Sequence, residues 1–232
     1  MYGLNAAALV IFGCLSVCAQ QLCKRPAKSR NRTIRMICAA LLTLNLARYL
    51  VVFPFVRHNA RFPVEFSSVS FFAVPIICLS GSRRAGSWAA YSGLMAGFFY
   101  FMALILAGGR LYQAYPPREI YISMFCHGAV YLCGFVSIAT EAYAPKDAPR
   151  LALGVALVAA WAALLRPLEY GRERLLIYIL MDGACVKRFL PQHAWHAALP
   201  AYYGALAAAV LLSIRGFFGS NKRQYRRFCK KA

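Results

Sequence analysis

Acidic residues are scarce: 7 Asp and Glu stand against 27 Lys and Arg, while 61% of the 232 residues are hydrophobic. A water-soluble domain of this size needs far more polar surface. The apolar runs instead approach the roughly 20 residues that cross a hydrocarbon core of about 30 Å. Composition therefore argues against an ordinary soluble enzyme and for one compact membrane domain. The excess of cations does not point to nucleic acid, because the charges sit between apolar runs and at the C-terminus. Those are the places where loops lie against anionic lipid. The partners expected are membrane lipids, with anionic headgroups at the basic segment 23–35 and at the basic tail, and no nucleic acid.

Cys-x-x-Cys pairs are absent, although the chain has nine cysteines. Cys14, Cys18, Cys38, Cys78, Cys126 and Cys133 lie within apolar runs, where a thiol behaves as a small hydrophobe. No His and Cys spacing of a zinc site accompanies them, so neither a metal nor a cofactor is expected. The N-terminus also lacks the Lys or Arg that opens a signal peptide, and its basic cluster follows the apolar run. Residues 4–22 therefore read as a retained first span.

Further apolar runs predict spans at about 36–56, 62–82, 88–108, 120–140, 151–165 and 196–214. The 168–195 stretch is broken by Asp182-Gly183 and reads as interfacial or re-entrant. The fold expected is all-α, a polytopic transmembrane helical bundle of about seven spans at the cell membrane. It comprises a single domain over 1–214 and a basic cytoplasmic tail over 215–232. With the N-terminus outside, the inside segments hold 17 basic residues and the outside ones 9, which favours that orientation over its inverse. Gly93 and Gly97 are spaced to let two helices approach closely, and Pro75 falls well inside its span.

Polar groups inside the spans are few and expensive. Arg48 lies within the second span, with Asn45 on the same face three residues before it. As a buried cation, Arg48 is either a site residue or half of a structural ion pair. Glu65 opens the third span, with Ser67 and Ser70 sharing a face behind it. His127 lies near the centre of the fifth span, as a hydrogen-bonded packing residue or a catalytic one.

The pattern Phe-Pro-Val-Glu-Phe-Ser-Ser-Val-Ser-Phe-Phe-Ala-Val-Pro over 62–75, followed by His127-Gly128, resembles the YwaF family, bacterial relatives of transmembrane protein 164. The resemblance covers roughly 35–140. It implies a helical membrane protein of about seven spans. From the animal relatives it implies a phospholipid acyltransferase using a cysteine nucleophile and a histidine. The histidine falls on His127 and the cysteine position on Ser67, a departure, because a serine hydroxyl needs a positioned base to take its proton. Arg48, Glu65 and Asn45 are then the substrate-binding or orienting residues. The alternative is a non-enzymatic membrane protein, either a small-solute transporter with Arg48, Glu65 and His127 along a polar path or a family member whose site is inactive.

Overall fold

The computed structural model describes residues 2–52, 62–108, 117–169 and 175–229. Within them the chain is helical and contains no strand. Helix α1 (Tyr2–Lys24) is followed after two residues by α2 (Ala27–Ala47), which runs on into a π-helical turn, Arg48–Val52. Then come α3 (Phe66–Ser80), α4 (Arg83–Ala107), α5 (Pro117–Thr140) and α6 (Ala148–Leu165). Two short helices, α7 (Leu176–Met181) and α8 (Ala184–Lys187), precede the long α9 (Gln192–Phe228).

Among the described residues, six helices are long and apolar enough to cross a membrane: α1, α2, α4, α5, α6 and α9. The third expected span, α3, is apolar but only 15 residues long. At 1.5 Å per residue it reaches about 22 Å, short of a full crossing. Pro75 sits inside α3 without ending it. Two expected boundaries move. The basic segment after α1 is not a loop, because Pro26 starts a new helix and the Ala, Lys and Arg that follow are good helix formers. Helix α9 likewise continues unbroken past Ile214, where the last expected span ends, to Phe228. The broken stretch before α9 folds as α7 and α8, closed at Gly183, whose positive φ of 62° suits glycine. The end of the second expected span, 53–56, falls outside the described residues.

The centre of the bundle is the α4–α5 pair. Their most apolar windows are 61% and 67% buried, against 22% or less for the other candidate spans. Missing side chains allow this closeness. A Cβ at Gly93 would meet the Val130 carbonyl at 2.6 Å, one at Gly97 the Tyr131 Cβ at 2.4 Å, and one at Gly134 the Leu94 nitrogen at 2.5 Å. The Gly93/Gly97 spacing thus serves packing within the chain. Around this pair, Cys38, Phe71, Val74, Cys126, Ala129, Val130 and Cys133 form one apolar cluster, in which the Cys38 and Cys133 sulfurs lie 3.6 Å apart.

One end of the bundle collects the segments the charge pattern grouped together. The start of α4 meets the end of α5, with Gly86 beside Glu141 and Tyr143, and Gly154 of α6 packs on Trp88. The last turns of α9 return to the same end. Buried Asn221 donates to the carbonyls of Ile138 (2.8 Å) and Glu141 (2.7 Å) and accepts from the Tyr143 N–H (2.9 Å). It therefore satisfies backbone groups that the end of α5 leaves open. Asn221→Leu is expected to cost about 1–3 kcal/mol, because it strands buried carbonyls. A lowered thermal midpoint in detergent, with α9 near Phe228 newly open to proteolysis, is the measurement that checks this.

Candidate functional site

His127 lies at mid-depth on α5, ten residues from Pro117 and thirteen from Thr140. Its ring stacks on Tyr100 of α4 with centroids 3.6 Å apart and planes within 9°. The edge of Phe71 from α3 closes another side at 4.8 Å. Nδ1 lies 2.8 Å from the Ser123 carbonyl and 3.3 Å from the Ser123 hydroxyl. A carbonyl only accepts, so Nδ1 carries the proton, and in the neutral ring Nε2 holds the free lone pair. Among the described residues Nε2 makes no hydrogen bond. The imidazole is thus fixed in one tautomer with its basic nitrogen unengaged, which is how a general base is presented.

Ser67 lies in the first turn of α3, half-buried, and makes no hydrogen bond among the described residues. It is four residues before Phe71, hence on the same face of α3 as the ring that touches His127. In depth it sits about one helical turn, some 6 Å, from Phe71 toward the end of the bundle where α5 begins. The structure therefore brings Ser67 to the His127 side of α3 but not into hydrogen-bond contact with the imidazole. Ser70 on the same face is turned inward, its hydroxyl donating to the Phe66 carbonyl at 2.7 Å.

Glu65 faces elsewhere. Its carboxylate is directed toward the backbone N–H groups of Ile177 and Leu176 at the start of α7. Glu65→Gln keeps an oxygen for these N–H groups and is expected to leave the thermal midpoint in detergent within a few degrees of the unsubstituted value, whereas Glu65→Ala removes the acceptor and is expected to lower it.

Arg48 and Asn45 meet a different part of α5. Arg48 Nη2 lies 3.0 Å from Glu119 Oε2, and both side chains are nearly buried. Its Nη1 approaches Cys126 Sγ at 3.8 Å, and the Asn45 Nδ2 approaches the same sulfur at 3.7 Å. Asn45 Nδ2 also donates to the Leu41 carbonyl at 2.8 Å, and the π-helical turn begins at Arg48 itself. An ion pair and two N–H donors thus surround a buried thiol one residue from His127. Cys126 points about 100° around α5 from His127. The two open to different neighbours.

Glu119, Ser123, Tyr100 and Cys126 were not legible as neighbours of these residues. Ser123 had a signal, lying one turn before His127. Glu119 had an indirect one, because a chain with 7 acids offers a buried arginine few partners. The three polar-path residues, Arg48, Glu65 and His127, find their partners in three separate places: Glu119, the N-terminus of α7, and the Ser123 carbonyl. Among the described residues no group of His, Cys, Asp and Glu is arranged to hold a metal.

A family model described as the TMEM164 family matches residues 2–171, which takes in α1 to α6 and with them Asn45, Arg48, Glu65, Ser67 and His127. No curated protein and no solved structure matches the chain.

Proposed function

Because the chain belongs to the TMEM164 family, we propose that this integral membrane protein is an acyltransferase moving fatty acyl groups between phospholipids of the cell membrane, with His127 as its base. The observation that carries the reading is the fixed tautomer of His127, with Nδ1 tied to the Ser123 carbonyl and Nε2 unengaged. Ser67 takes the nucleophile's place. Its Oγ attacks the ester carbonyl of the donor lipid while Nε2 takes the hydroxyl proton, and the tetrahedral adduct collapses by breaking the C–O bond to the glycerol. The departing lysophospholipid oxygen receives that proton from His127. The hydroxyl of an acceptor lysophospholipid then attacks the acyl-Ser67 ester, again giving its proton to Nε2, and Ser67 is restored. Attack needs Oγ within about 3 Å of Nε2, so binding of the ester must bring the first turn of α3 closer to α5.

A second reading of the nucleophile rests on the N–H donors of Arg48 and Asn45 at Cys126. A cation and an amide within reach of a sulfur can stabilise a thiolate formed during attack, against the cost of charging a buried group. Trapping the covalent intermediate separates the two. The purified protein is incubated with a phospholipid without acceptor, denatured, and its peptides weighed. An acyl mass on the Ser67 peptide that resists neutral hydroxylamine is expected. An adduct on the Cys126 peptide that hydroxylamine removes would transfer the role to the thiol, and no adduct on either would count against covalent transfer.

A further inference from the structure

On the face of α3 opposite Ser67, an apolar cavity of about 650 Å³ opens between α3, the start of α4 and the length of α6. Val69, Phe72 and Ile76 form one wall, Trp88 the back, and Leu153 and Leu157 the other wall. On α6 the lining runs from Arg150 to Trp161, a rise of about 16 Å. That is about half of a 30 Å hydrocarbon core, the depth of a single leaflet.

The two ends differ in charge. The inner end is closed by Trp161, whose Nε1 donates to the Pro63 carbonyl at 3.1 Å. At the outer end, Arg150 is the one charged side chain in the lining. It is 67% exposed and spends one nitrogen on Asp147 at 3.3 Å, leaving the rest of the guanidinium facing out. Exposed Arg84 and Lys146 stand at the same end, as do the N-termini of α4 and α6, which favour anions. Asp147 and Glu141 are the acids nearby.

We infer that this groove holds one acyl chain of an anionic glycerophospholipid, with the headgroup phosphate at Arg150 and its neighbours. A slot one leaflet deep, dry along its walls and cationic only at its mouth, matches the shape and polarity of such a lipid in the leaflet at that end. Because the groove lies behind the catalytic face of α3, this inference stands independently of acyl transfer.

Trp88 and Trp161 line the groove, so a brominated acyl chain seated there quenches their fluorescence. The protein is reconstituted in phosphatidylcholine vesicles containing increasing fractions of brominated phosphatidylglycerol or, separately, brominated phosphatidylcholine. Half-maximal quenching is expected at a several-fold lower fraction of the anionic lipid. Arg150→Gln is expected to bring the two curves together, while Arg188→Gln, on the α8 side of the bundle, leaves them apart. Equal quenching by both lipids in the unsubstituted protein would overturn the inference. So would a preference that survives Arg150→Gln, or Trp fluorescence insensitive to either lipid because another occupant fills the groove.

Discussion

Replacing His127 with glutamine is expected to lower acyl transfer by about 10²–10⁴-fold, the usual contribution of a general base. Glutamine retains a planar group for the Tyr100 face and an N–H for the Ser123 carbonyl, the two contacts that hold the ring in place. It has no basic nitrogen to replace Nε2. The thermal midpoint should therefore stay within a few degrees of the unsubstituted value while turnover collapses. If His127 only packs, the opposite pattern follows, with activity falling no further than the folded fraction. Measuring both quantities on one preparation separates the two roles.

The second large effect concerns stability. Gly97→Ala places a Cβ 2.4 Å from the Tyr131 Cβ and 2.7 Å from the His127 carbonyl oxygen, at the closest part of the α4–α5 contact. These are atoms of a neighbouring helix, not the ends of flexible chains, so the two helices must separate. A loss of about 2–3 kcal/mol is expected, in the range of overpacked cores. Gly204→Ala on α9 is the control. Nothing lies within 4 Å of its Cβ position, and alanine there should be neutral or stabilising by up to about 1 kcal/mol. The opposite signs of the same substitution, read as thermal midpoints in detergent, test whether α4–α5 is the tightest seam of the bundle.

That seam was legible in the sequence because small residues four apart in an apolar run have one main physical use, close approach of backbones. Helix positions were legible for a similar reason, as only continuous backbone hydrogen bonding survives in hydrocarbon. The bounds of α2 and α9 were not. Lys, Arg, Asn and Gln end an apolar run without ending a helix, so counting hydrophobic residues stopped α9 at Ile214 while the backbone continued to Phe228. The fate of Asn221 followed the same error. In a basic tail it resembles a solvated polar residue, whereas its amide closes the end of α5, 80 residues earlier.

The candidate site divides along the same line. His127 stood out because a lone imidazole mid-span is costly, and Arg48 because a cation there needs a partner. That the partner is Glu119, 71 residues away, follows from packing and from no periodicity in the chain. Glu65 and Ser67 looked like one unit because they are neighbours in a short motif. On a helix, residues two apart point in nearly opposite directions, and the carboxylate serves α7 while the hydroxyl faces the α5 side. Ser67 stands where the resemblance implies a cysteine nucleophile, and the Arg48–Asn45–Cys126 contacts give the proposed transfer a second candidate nucleophile.

Acyl transfer itself is tested most directly in vesicles carrying a phospholipid with one labelled acyl chain and an unlabelled lysophospholipid acceptor. The labelled chain is expected to appear on the acceptor with the unsubstituted protein and with Cys126→Ala, and to remain on the donor with Ser67→Ala and with His127→Gln. Transfer at the unsubstituted rate by both Ser67→Ala and His127→Gln, or no transfer by the unsubstituted protein across a panel of donor headgroups, would contradict the account.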